Sequence, residues 1–328
     1  MANKLDLYLI TLGKSAGTFR DVIGKKCNLT TQKMSPAKVF NAFYKCFLEA
    51  IGKQVFRVDA KNMGITILKG QGQRSTNTIV TAHSDNKIIE GFIDGGSYNS
   101  IRKIANLTDI SQRQTIKKSD IVTDRFYFYL YLPLDSKIAI FMVQSKENSS
   151  LRRVIPTFWE LFMQTDTHKN CRVNLYYPKW LREDFLRGAN LHSLSFEEEN
   201  ISQVQSEEEL SVDSQSYKVK VIITPNDNNP ISDMSDLIER IGSNFVLKVG
   251  EATHALSSFA KKKGAAKNEE KKKTLPFTID EEDQIHPVII LDNELSANDD
   301  GDFERADLKA FCDDLLEKIK PEIYAIAH

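Results

Sequence analysis

The sequence is short of several things, and each shortage excludes something. No apolar run approaches the ~20 residues that a membrane-spanning helix needs. The opening stretch, MANKLDLYLITLG, carries an early acid and no long apolar block, so it reads as a first strand and not as an export signal. Cysteine is scarce, with only Cys27, Cys46, Cys171 and Cys312. None forms a C-x-x-C pair, and a single His168-x-x-Cys171 does not supply a four-ligand set, which argues against a zinc site. Four scattered thiols suit a reducing cytoplasm, and cytoplasmic is the expected location. The glycine-rich phosphate loops G-x-x-x-x-G-K-[ST] and G-x-G-x-x-G are missing, so no common nucleotide-binding fold is implied. There is no internal repeat and no heptad series long enough for a coiled coil.

What is present is a charge of each sign, unevenly spread. The 328 residues hold 44 Lys+Arg and 45 Asp+Glu, which is nearly neutral. Residues 1–170 hold 25 basic and 14 acidic side chains, leaving 19 basic and 31 acidic in residues 171–328. A basic stretch followed by an acidic one points to a polyanion partner for the first. It points to masking, assembly or a basic partner for the second.

The chain has room for two domains. The expected class is α+β, with a strand-rich antiparallel or mixed sheet in a basic domain over 1–168. A smaller acidic α+β domain follows over 169–328, with mobile loops at 197–215 and 261–275. Ser35-Pro36 opens a helix that stops at Gly52, with Val39, Phe43, Phe47 and Ile51 on one face. Phe126–Leu132 and Ile138–Gln144 read as a hairpin, and Phe303–Ile319 as a closing amphipathic helix. Gly95-Gly96-Ser97 reads as a tight turn, with phosphate contact as its functional alternative. Glu90 and Asp94 read as surface carboxylates, and His83-Ser84-Asp85 as a turn with an exposed histidine.

The candidate nucleic-acid-binding set is Arg102, Lys103, Arg113, Lys117 and Lys118 in one connector, with Arg152 and Arg153 opening the following helix. A helix N-terminus is already positive, so two arginines there call for an anion partner or for an acidic partner from the second half. Tyr98, Tyr127, Tyr129 and Tyr131 are the stacking candidates, although the last three alternate with apolar residues as in a sheet buried on both faces.

The candidate catalytic set is Asp135, Gln144 and Lys146, within PLDSKIAIFMVQSK. A metal that cleaves phosphodiesters needs a carboxylate, a second oxygen ligand and a nearby cation. This string resembles the PD-(D/E)xK nuclease pattern, and more closely the Q-x-K variant of restriction-endonuclease-like proteins. The resemblance implies Asp135 as ligand to Mg or Mn, Gln144 as the oxygen ligand and Lys146 as the catalytic lysine. It departs from the pattern in the Leu134 between Pro and Asp, in the short gap to Gln144, and in the lack of an upstream helix bearing a Glu. It covers fourteen residues of the chain.

The leading expectation is a nucleic-acid-binding accessory protein that contacts DNA or RNA through its basic half. Bacterial genome defence against phage or plasmids is the contextual setting, which no residue carries. The alternatives are a non-catalytic protein–protein adaptor or assembly subunit, working through the acidic half, and a divergent metal-dependent nuclease. No membrane partner is expected.

Overall fold

A computed structural model describes residues 3–68, 79–105, 113–146, 149–166, 168–187, 189–202, 216–226, 240–249, 252–268, 273–279, 285–298 and 301–324. The class is mixed α+β with antiparallel sheets. The chain divides into two compact units, one of residues 1–176 with 289–328 and the other of residues 177–288.

The first unit is built on one nine-stranded sheet. Its strands run in the order β10 (Cys171–Leu175), β1 (Asn3–Leu12), β9 (Ile138–Lys146), β8 (Val122–Tyr131), β5 (Ile88–Ser97), β3 (Met63–Thr66) and β2 (Phe56–Val58), with β4 (Val80–His83) beside β5. A two-residue strand that follows the second unit, Ile289–Ile290, pairs with β1 as well.

One face of the sheet is covered by α1 (Phe19–Lys26), α2 (Pro36–Gly52) and α3 (Ile155–Phe162). The Ser35 side chain caps α2 by accepting from the Lys38 amide at 3.4 Å, with Pro36 pre-set for the first turn. The expected face of Val39, Phe43, Phe47 and Ile51 is fully buried, and Phe47 stacks on Trp159 with ring centres 5.5 Å apart. Along β8 the even residues Phe126, Phe128 and Leu130 enter this core. The odd residues point to the other face, where Tyr129 donates to Asp313 at 2.6 Å and Tyr131 meets Tyr324 edge to face. That face is covered by the last helix, Arg305–Tyr324, through Leu308, Cys312, Leu315, Leu316 and Ile319. The period-two alternation of β8 therefore reflects a sheet covered on both sides. Tyr127 and Tyr129 are fully buried, which removes them as stacking surfaces.

The second unit carries a five-stranded antiparallel sheet in the order β12 (Ser216–Ile223), β11 (Ala189–Ser202), β15 (Lys261–Asn268), β16 (Lys273–Ile279) and β17 (Ile285–Pro287). A short hairpin of β13 (Val246–Val249) with β14 (Ala252–Ala255) and the helix α4 (Lys179–Leu186) complete it. Its core gathers Phe185, Leu194, Phe196, Leu256, Phe259 and Phe277.

Three expectations change. Residues 197–202, 261–268 and 273–275, read as loops, are strands; residues 203–215 and 269–272 lie outside the described residues. Glu197 is drawn into the sheet by Lys220 at 3.2 Å and Lys263 at 3.9 Å, so charges that look solvated in sequence pair across strands. Burial alone would raise the Glu197 carboxyl, but the hydrogen bond from Lys220 and the charges of Lys263, Lys220 and Lys218 hold it below its ordinary value. Gly95-Gly96-Ser97 is the buried end of β5, paired with β3 and β8. Finally, residues 289–328 belong with the first unit, so the acidic stretch expected over 169–328 is shared between the two.

Candidate nucleic-acid interface

The basic connector folds into a two-stranded antiparallel ribbon of β6 (Arg102–Ala105) and β7 (Arg113–Ile116), separate from the main sheet. Its register sets Arg102 across from Ile116, Lys103 across from Thr115, and Ala105 across from Arg113. Lys103, Lys117 and Lys118 are exposed, and so are Ile101 and Ile104 at 65% and 50%. The turn at the foot of the ribbon is closed by Asp120, whose carboxylate accepts from the Lys117 amide at 2.7 Å.

At the foot of the ribbon lies a cleft of about 870 Å³, lined by Arg57, Asp59, Asn62, Tyr98, Asn99 and Lys118 among others. Strand pairing builds it. Met63 of β3 pairs with Ser97 of β5, which sets Asn62 beside Tyr98, and the Tyr98 amide donates to the Asn62 carbonyl at 3.0 Å. Both asparagines sit in the left-handed region, at φ 48 and 63, where Asn is among the best-tolerated residues. Asn99 donates from its side-chain amide to that of Asn62 at 3.0 Å, and the Asn99 backbone amide donates to the Lys118 carbonyl at 3.1 Å. The Tyr98 hydroxyl donates to Asp59 at 2.5 Å. Burial and this hydrogen bond raise the phenol above its ordinary value, so it stays protonated.

Arg153 belongs to the same neighbourhood, because its carbonyl accepts from Lys61 Nζ at 2.9 Å and Lys61 precedes Asn62. The cationic heads of Arg57, Lys103, Lys117, Lys118 and Arg153 make no ion pair or hydrogen bond with the described residues.

Arg152 behaves differently. Its guanidinium grips the buried Asp6 through Nε at 2.9 Å and a terminal nitrogen at 2.5 Å. The anion that its position calls for is supplied by β1 of the same unit. Arg102 and Arg113 stand in the ribbon by their backbones.

The Asp135–Gln144–Lys146 trio is not brought together. Asp135 lies in the turn before β9, is 88% exposed, and faces Arg20 at 3.5 Å. Gln144 and Lys146 are at the far end of the strand, about 20 and 26 Å from its first residue, Ile138, at ~3.3 Å per residue. Gln144 is buried and committed on both sides, accepting from the Tyr127 amide at 3.1 Å and donating to Asn3 at 3.1 Å. Lys146 pairs with Asp302 at 3.6 Å. No further acid joins them: Glu90 and Asp94 are engaged elsewhere by arginines, and Glu160 is on α3. Among the described residues no group of three or more His, Cys, Asp or Glu side chains is arranged to hold a metal ion.

Glu90 and Asp94 are both buried, against the sequence reading. Arg305 clasps Glu90 with two nitrogens at 2.8 and 3.0 Å, and it also donates to Thr81 at 2.7 Å. His83 Nε2 stands 3.3 Å from the same carboxylate. The hydrogen bond to Glu90 raises the Arg305 guanidinium above its already high value. Asp94 receives Arg125 Nε at 3.1 Å and the Leu68 amide at 2.9 Å. These are internal clasps between strand and helix or strand and strand. Sequence reasoning missed them because the partner of Glu90 is 215 positions away.

The return of residues 289–328 changes the charge balance. The first unit has 30 Lys+Arg against 25 Asp+Glu, and the second 14 against 20. Most of the basic excess of residues 1–170 is thus offset within one unit. At the ribbon and cleft, Arg57, Lys103, Lys117, Lys118 and Arg153 keep no ion-pair partner among the described residues. No helix among the described residues is long and apolar enough to cross a membrane. Compared with protein-family models, curated proteins and solved structures, the chain matches none of them.

Proposed function

We propose that the protein binds nucleic acid through the basic ribbon and the cleft at its foot, as an accessory protein without a catalytic site of its own. The observation that carries this reading is the set of cationic heads at Arg57, Lys103, Lys117, Lys118 and Arg153, which have no acidic partner among the described residues, while the cations beside the last helix are paired. Like charges held together without counter-charges are costly at low salt, and a phosphate backbone relieves that repulsion by releasing condensed counterions. A two-stranded ribbon is also one of the shapes that a major groove admits. The setting proposed for it is bacterial genome defence, and its place of action the cytoplasm.

Labelled single- and double-stranded DNA and RNA, titrated across 50–200 mM salt, test the reading. Binding is expected to weaken steeply with salt. The triple change Lys103→Glu, Lys117→Glu, Lys118→Glu should lower the slope of log K against log salt by roughly 2–3, near one per lost phosphate contact. Absence of binding at 50 mM salt, or a slope untouched by the triple change, would overturn it.

A second reading, the adaptor, has one observation of its own. Among the described residues β12 is an edge strand of the second unit, with Ile222 at 59% exposure. An edge with an exposed β-branched residue is a template for strand addition by another chain. Light scattering coupled to size exclusion reads it: a higher-order species dissolved by Ile222→Lys supports the adaptor, and a monomer at all concentrations counts against self-association.

A further inference from the structure

We infer that the cleft at the foot of the ribbon takes one unpaired nucleotide of the bound strand, so that the protein prefers nucleic acid containing an extruded or single-stranded base. This rests on the nucleic-acid reading above and adds a site and a specificity to it. The volume of about 870 Å³ lies within the ~300–1,000 Å³ range of small-ligand sites.

The lining supplies what a nucleotide needs. The single hydrogen bond between the Asn62 and Asn99 side chains occupies one carbonyl and one NH2, and leaves one carbonyl and one NH2 unused. Turning both amides over leaves the same inventory, so the cleft presents one acceptor and one donor either way. A donor beside an acceptor matches the edge of a nucleobase. In a paired duplex that edge is already occupied, so only an unpaired base can offer it. Tyr98 is held in the lining by Asp59 and offers an aromatic surface for stacking. Arg57 and Lys118 stand in the same lining, without acidic partners among the described residues, to meet the flanking phosphates. The left-handed turns that carry the two asparagines are fixed by the β3–β5 register, so the site is formed before a ligand arrives.

The test uses three duplexes of equal length: one fully paired, one with a single-nucleotide bulge bearing 2-aminopurine, and one with an abasic bulge. The full chain should bind the 2-aminopurine bulge about tenfold more tightly than the other two and quench its fluorescence by stacking. Asn99→Asp keeps a residue that tolerates the left-handed turn and removes one of the two NH2 groups; the remaining Asn62 NH2 then turns to the carboxylate, and the unused donor is lost. Arg57→Ala changes only an exposed side chain, which guards against misfolding. Both should abolish the preference, and Asn99→Asp the quenching as well, while Arg57→Ala should also lower the salt slope on the paired duplex by about one, as the loss of a single phosphate contact does. Equal binding to all three duplexes with unchanged fluorescence overturns the cleft inference and leaves the ribbon reading intact. Binding to none of them at 50 mM salt overturns the ribbon reading, and the cleft inference falls with it.

Discussion

Glu90 is the residue whose environment departs most from what its neighbours in sequence suggest. It is a carboxylate in a strand, 3% exposed, with a guanidinium clasping it from the last helix. Removing one member of a buried ion pair leaves the other charge uncompensated, so Glu90→Ala should cost about 3 kcal/mol. Urea denaturation checks this, and a loss no larger than that of an exposed pair would show the clasp to be energetically idle. The buried phenols and thiols set a pH limit. Burial, then the charge of Glu160, pushes the Cys171 thiol from 9.0 up to about 12. Burial also raises Tyr127, Tyr129 and Tyr324. The fold favours the protonated forms, so their stabilisation is complete below the unfolded values near 9–10. It is lost as pH rises towards the folded ones. Cys171 alone should contribute a loss of about 2 kcal/mol between pH 8 and 10.5. The urea midpoint should fall over that interval, and Cys171→Ala should flatten part of the fall.

At the scale of the element, β5 shows how a strand can hide behind turn residues. Asp94-Gly95-Gly96-Ser97 has the composition of a turn, yet it is paired on both sides. A Cβ on Gly96 would fall 1.8 Å from the Val122 carbonyl oxygen, and one on Gly95 2.6 Å from Leu151 Cδ2. Glycine is here because neighbouring backbone approaches closely. Gly96→Ala cannot be relieved by a side chain moving, since the obstacle is the backbone of β8. A stability loss of about 3 kcal/mol is expected. Thermal unfolding measures it, and a loss under about 0.5 kcal/mol would contradict this packing. The lysine-rich β15 makes a related point: Gly264 lies against the Phe277 ring, and Glu197 gathers lysines from two strands.

At the scale of the molecule, the path of the chain matters most. β10 and Ile289–Ile290 lie along the same edge of β1, with Leu175 across from Tyr8 and Ile289 across from Leu5. Three residues of strand separate these positions, about 10 Å at ~3.4 Å per residue. The second unit is therefore an insertion between two segments that end close together. Replacing residues 177–288 with a linker of about six Gly and Ser residues should leave the first unit folded, with a cooperative melt by circular dichroism. Deleting residues 289–328 should unfold that unit, since it uncovers one face of the sheet and removes Arg305 from Glu90. A first unit that melts cooperatively without residues 289–328 would contradict this division.

The sequence by itself determined the elements whose signal is local. Ser35-Pro36 and the four-residue apolar spacing specify α2, and the alternation of Phe126–Tyr131 with a short connector specifies the β8–β9 hairpin. Leu308, Cys312 and Leu315 mark the last helix, and the α+β class follows from these. The basic character of residues 102–118 was also legible, because charge is a property of composition. Only the tertiary structure decided which charges remain free. Arg152 is neutralised by Asp6, a partner 146 positions away, and Glu90 by Arg305, while Lys103, Lys117 and Lys118 have no ion-pair partner among the described residues. It also decided that Asp135 and Lys146 stand at opposite ends of a strand, and that Asn62 and Tyr98 stand side by side. The physical reason is common to all of these. Periodicity and capping act over a few residues and are written in the local sequence. Ion pairing and strand register join residues through space, and neither has a signature until the sheet has formed.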